Sequence, residues 1–122
     1  MVEPDGRVWL VAPTNGYSGY QATFPKGRVD AGLTLQACAL KETFEETGLK
    51  VELVDHLLDV PRAKGFARYY FARRRGGNPA DMGWESQAVH LVPQDQLAGL
   101  LNRPRDQAIA LALKIRWDSL RP

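Results

Sequence analysis

The stretch from Thr34 to Gly48 constrains this chain more than any other. Thr34 suits an N-cap, Ala37, Leu40, Phe44 and Thr47 recur at helical spacing, and Gly48 stands where helices commonly stop. The spacing predicts a helix from Leu35 to Thr47. Around it lie segments with the β-branched and aromatic content of strands: Arg7 to Pro13, Lys50 to Val60 (one long strand or a strand pair), Phe66 to Arg75, and Gln87 to Pro93. "QDQLAGLL" reads as a short helix and Asp106 to Leu120 as a terminal one, started by the "NRPRD" break. The irregular alternation points to an α/β layered domain with a mixed sheet and excludes a helical bundle or a β-sandwich. The turn signal "EPDG" suggests a hairpin whose first strand is nearly missing, since Met1, Val2 and Glu3 alone precede it. A truncated first strand is therefore an expectation, through a late start or an abbreviated domain.

Composition narrows the class. At 122 residues and 44% hydrophobic content the chain fits a single domain over residues 1–122 with a real core. No apolar run approaches the ~18 residues of a membrane span, and the N-terminus lacks a secretory layout, so no membrane association and a cytoplasmic location are expected. Cys38 is the sole cysteine, which excludes an internal disulfide and a Cys-based metal framework; among Ala37, Ala39 and Leu40 it reads as a small core residue. His56 and His90 lie singly in apolar strand contexts and read as structural. A net charge of +2 does not by itself argue for nucleic acid. Arg62, Lys64, Arg68 and the run Arg73 to Arg75 crowd the middle of the chain. That run suits either a solvated strand end or contacts to an anionic ligand.

The helix raises the chemical question. Glu42, Glu45 and Glu46 fall within an arc of roughly 100° on one face. Ala37, Leu40 and Phe44 lie opposite, so this acidic face is expected to look away from the core. A solvated face would be helped by Lys41–Glu45 and Glu46–Lys50 pairs worth ~0.2–0.5 kcal/mol each. Against that stand a like-charge pair at i, i+4 (Glu42 and Glu46) and the negative end of the helix dipole, which disfavours an anion by ~0.3–1 kcal/mol. A divalent cation relieves both costs, and Mg²⁺ takes oxygen ligands from one or two carboxylates, waters and substrate phosphates.

The segment Gly27 to Leu49 resembles the Nudix box: Gly27 opens it, Glu42, Glu45 and Glu46 fill its three helix glutamates, and Gly48 and Leu49 close it without a gap. Three positions depart: Leu33 stands for the first Glu, Lys41 for Arg and Thr43 for an aliphatic residue. Burial of Leu33 would then hold the loop. The resemblance implies a Nudix-like α/β/α sandwich and Mg²⁺-dependent (or Mn²⁺-dependent) hydrolysis of a pyrophosphate linkage. It implies that Glu42 and Glu46 bind the metal with the Gly27 carbonyl, and that Glu45 activates water, with Glu85 as the alternative base. Lys26, Arg68 and Trp84 are substrate-binding candidates, and Tyr20, like Trp84, either stacks on a base or packs over the core edge. The "FPKG" lead-in looks like the branch acting on dinucleoside or diphosphoinositol polyphosphates. A small phosphorylated substrate is expected, with nucleic acid disfavoured. The alternatives are a catalytically weakened nucleotide-binding module and an RNA 5′-pyrophosphohydrolase. Monomer and homodimer are both open, since Trp117 and Leu120 suit packing on the sheet or against a second copy.

Overall fold

The computed structural model describes residues 1–13, 22–26, 29, 32–83, 86–101 and 103–120. In chain order the elements are β1 (Val8–Pro13), α1 (Leu35–Thr47), β2 (Leu49–Pro61), β3 (Phe66–Gly77), β4 (Ser86–Val92), α2 (Leu97–Leu100) and α3 (Pro104–Leu120). Short 3₁₀ turns at Pro79–Asp81 and Gln94–Gln96 precede β4 and α2. Lys50 to Val60 falls within one long strand, and α3 starts two residues before the expected Asp106.

β1 pairs antiparallel with β4, and β2 with β3. Val2 joins the two ladders by bridging antiparallel to Val8 and parallel to Arg73, which makes the sheet mixed. The Val2 N–H also donates to the Ala72 carbonyl at 2.9 Å. Glu3, beside it, takes a two-pronged bond from Arg74. With α1 and α3 packed on this sheet the layering is that of an α/β/α sandwich.

Val8, Leu10, Phe71, Leu101, Ile109 and Leu113 form the centre of the core. Trp117 packs against that cluster, while Leu120 stays exposed. Among the described residues no helix is long and apolar enough to cross a membrane.

Local chemistry explains why α1 begins and ends where it does. The Thr34 hydroxyl oxygen accepts from the Ala37 N–H at 3.0 Å, and Gly48 ends the helix in the left-handed conformation at φ 74°. Only glycine fits there, because a Cβ would overlap the Asn78 carbonyl.

The face of α1 turned inward differs from the expected one. Leu40 and Phe44 are 40% and 39% exposed, whereas Cys38 is buried and Leu35, Ala39, Glu42, Thr43 and Glu46 are half-buried. These six positions are spaced i, i+3, i+4, i+7, i+8 and i+11, one continuous helical stripe. Two glutamates therefore lie on the inner side, and only Glu45 looks out. Leu33 is also exposed, so its burial does not hold the preceding loop.

Candidate active site

The inner stripe of α1 borders a cavity of about 480 Å³. Leu35, Cys38, Ala39, Glu42 and Thr43 supply one wall, and Tyr69, Tyr70 and Phe71 of β3 another. The rest comes from Phe24, Lys26, the β2–β3 hairpin tip and α3. The volume is within the usual range of small-molecule sites.

Glu42 lines this cavity, as expected of a residue facing a ligand. Glu46 lies one turn further on, where its Oε2 accepts the Lys26 backbone N–H at 2.8 Å. That charge-assisted bond ties the end of α1 to the residue before Gly27. Gly27 itself lies outside the described residues. No basic residue occupies the last turn of α1 to offset its dipole, so the electrostatic cost read from sequence stands in the folded chain.

Glu45 lies about 60° around the helix from Glu42 and about 100° from Glu46. Its side chain is about half exposed and meets Lys41 at 3.7 Å. Its backbone carbonyl accepts from the Gly83 N–H at 2.5 Å, and a Cβ on Gly83 would come within 2.7 Å of that oxygen. Glycine is thus required for the loop before β4 to close on α1. Glu85 and Trp84, the next residues of that loop, lie outside the described residues, as does Tyr20.

Among the described residues no group of three or more His, Cys, Asp or Glu side chains is arranged to hold a metal. A carboxylate pair on one helix face nonetheless fits Mg²⁺, which takes one or two carboxylates and leaves other positions to water and phosphate oxygens.

Lys26 is half-buried. Burial pushes its ammonium below the usual lysine range, Arg105, Arg103 and Arg62 push the same way, and Asp106 partly offsets them. Tyr69 is buried beside Arg105, Asp106, Arg62 and Glu46, and burial raises its phenol, keeping it neutral. Asp106 is 1% exposed; one of its oxygens accepts the Thr23 hydroxyl at 3.0 Å.

Arg68 also lines the cavity. It forms a two-pronged ion pair with Asp59 at 2.9 and 3.0 Å and lies 5.1 Å from the Phe66 ring centroid. His56 bonds the same Asp59 and is half exposed on the sheet. In the Arg73 to Arg75 run, Arg74 pairs with Glu3 and Arg75 with Glu52, and neither borders the cavity.

Sequence reasoning did not assign Arg105, Asp106 or Tyr69 to the site. They come from α3 and β3, far from the glutamates along the chain, so no local spacing could connect them. Phe66, 51% exposed at the cavity, was read only as part of a strand.

The NUDIX domain profile matches residues 1–113. An RNA pyrophosphohydrolase of Caulobacter vibrioides is 37% identical over 89 residues, covering 71% of this chain and 48% of that protein. This chain thus spans about half the length of that relative. Among solved structures, a NUDIX hydrolase from Nitrosomonas europaea superposes with a TM-score of 0.79 at 13% identity, over 99% of this chain and 91% of its own. A C. elegans Ap4A hydrolase in a binary complex gives 0.75 at 16% identity, over 93% and 89%. The chain belongs to the Nudix family.

Proposed function

We propose that this chain hydrolyses a pyrophosphate linkage in a polyphosphorylated nucleotide, using Mg²⁺ held by Glu42 and Glu46 with the Gly27 carbonyl. The observation that carries this reading is the placement of Glu42 on a cavity that Lys26, Arg62, Lys64, Arg68 and Arg105 also line, with Glu46 one turn further along the same face of α1 and bonded to the Lys26 N–H. Carboxylates half-buried near a helix C-terminus are disfavoured unless a cation faces them. Bound there, Mg²⁺ neutralises phosphate oxygens and makes a nearby water easier to ionise.

The chain's own residues then divide the work. The Lys26 N–H holds Glu46 in place, and the Lys26 ammonium meets a phosphate. Glu45, at the rim of the face, takes the proton of the attacking water; Glu85, two residues beyond the anchored Gly83, is the alternative. Arg68 and Trp84 contact the substrate, Arg68 from a position braced by Asp59.

Dinucleoside or diphosphoinositol polyphosphates suit the cationic lining. The 37% identical relative named RNA pyrophosphohydrolase favours a second reading, the 5′ end of triphosphorylated RNA. Either substrate places the activity in the cytoplasm. Phosphate release over a panel of pyrophosphate-linked compounds, with Mg²⁺ or Mn²⁺, tests the reading. Turnover that falls at least about a hundredfold in Glu45→Gln is expected if Glu45 is the base. Absence of turnover for every compound defeats the enzyme assignment, and nucleotide binding unchanged by Glu45→Gln then marks a binding module.

A further inference from the structure

The cavity that Glu42 borders is also lined by cations. Arg62 and Lys64 stand at the β2–β3 hairpin tip, where the Arg62 N–H closes the turn onto the Gly65 carbonyl at 3.1 Å. Arg105 enters from the first turn of α3, and Lys26 completes the group. Arg68, on the same cavity, is matched to Asp59, and Arg7, Arg74, Arg75 and Arg116 away from it are each matched to a carboxylate. Arg62, Lys64 and Arg105 have no carboxylate within ion-pair reach among the described residues. A buried donor accompanies them: Arg105 Nε lacks a hydrogen-bond partner among the described residues. Orphaned polar atoms of this kind are costly and mark places where a ligand or water completes the structure.

Arg62 and Arg105 share this cavity with Lys26 and repel it, a cost that a polyanion offsets. A ligand with only the two phosphates of the scissile linkage would be matched by a cation held at Glu42 and Glu46, leaving these side chains without an anion. Each further phosphate adds negative charge that Arg62, Lys64 and Arg105 can neutralise.

We propose that Arg62, Lys64 and Arg105, with Lys26, form an anion subsite for phosphates beyond the scissile pair, so that this chain selects substrates carrying three or more phosphates in a row. The inference rests on the pyrophosphohydrolase reading and names its substrate class. The shared chemistry is the phosphate chain, whether its source is a dinucleoside polyphosphate or an RNA 5′ end.

Calorimetric binding in EDTA, where metal-dependent hydrolysis is suppressed, isolates the subsite. Inorganic tripolyphosphate is expected to bind about tenfold more tightly than pyrophosphate, a ratio that one or two charge-assisted contacts provide. Arg62→Gln and Lys64→Gln, both on an exposed hairpin tip, each erode that ratio, and Arg75→Gln leaves it unchanged. Equal binding of the two probes overturns the proposal, as does a ratio that survives in the folded Arg62→Gln/Lys64→Gln double variant. Kinetics then separate the sources: kcat/KM is compared for diadenosine tetraphosphate, a 5′-triphosphorylated RNA oligomer and ADP-ribose. Higher kcat/KM for either of the first two, lost in Arg62→Gln, supports the subsite and identifies the source. ADP-ribose turned over at least as well, with all three substrates falling alike in Arg62→Gln, overturns the subsite and leaves the hydrolase standing. Selective tripolyphosphate binding without turnover of any substrate overturns the hydrolase and leaves the subsite standing.

Discussion

Glu46 serves two purposes that substitution can separate. Its carboxylate accepts the Lys26 N–H, and it shares the inner face of α1 with Glu42. Glutamine keeps an oxygen for the N–H and loses the charge. Glu46→Gln is therefore expected to unfold at the same denaturant midpoint while activity at fixed Mg²⁺ drops roughly a hundredfold. Glu46→Ala is expected to lose activity similarly and also about 1–2 kcal/mol of stability, because the Lys26 N–H is left without its partner. Parallel urea titrations and Mg²⁺-dependence curves read the two effects apart. Gly83 makes a different point at the same scale. Its close approach to the Glu45 carbonyl leaves no room for a methyl group, so Gly83→Ala is expected to push the loop before β4 off α1. Limited proteolysis near residue 83, faster in the variant, checks it.

At the scale of elements, α1 shows what a sequence can and cannot disclose. Its ends were legible because caps are local: Thr34 bonds three residues ahead, and Gly48 acts through its own backbone. Thr34→Ala is expected to cost about 1 kcal/mol. Gly48→Ala is expected to cost about 2–4 kcal/mol, since strain at positive φ adds to overlap with the Asn78 carbonyl. Thermal unfolding of the two variants side by side tests that order. Which side of α1 turns inward was not legible. Hydrophobic periodicity favoured Leu40 and Phe44, yet the inner stripe carries Glu42, Thr43 and Glu46, and Glu42 and Thr43 border a cavity and not only a core. Sequence-level rules are expected to fail where chemistry replaces packing. The strands were legible in type and approximate extent. The union of their two ladders through Val2 was not, because a two-sided bridge at one residue leaves no periodic trace.

For the whole molecule, the link between the N-terminal segment and β3 creates a pH dependence. Arg74 holds the Glu3 carboxyl below its ordinary value of 4.5, with burial opposing part of that effect. A depressed carboxylate stabilises the fold above about pH 4.5 and loses that contribution as pH falls through its folded value. The stability gap between the parent and Glu3→Gln is thus expected to be constant near neutrality and to shrink below pH 4.5. Chemical denaturation at a series of pH values measures it, and a gap that widened on acidification would contradict the pairing. The shared cavity lining of Lys26, Arg62 and Arg105 is also a whole-molecule property, since loop, hairpin and α3 must all be in place for it.

The segment between β3 and β4 is fastened to α1 by main-chain atoms at both ends, Asn78 to Gly48 and Gly83 to Glu45. Fastenings of that sort are indifferent to the intervening side chains. Ala80, Asp81 and Met82 can therefore be exchanged for other residues without shifting the frame, giving evolution or an engineer a small interchangeable panel beside a fixed scaffold.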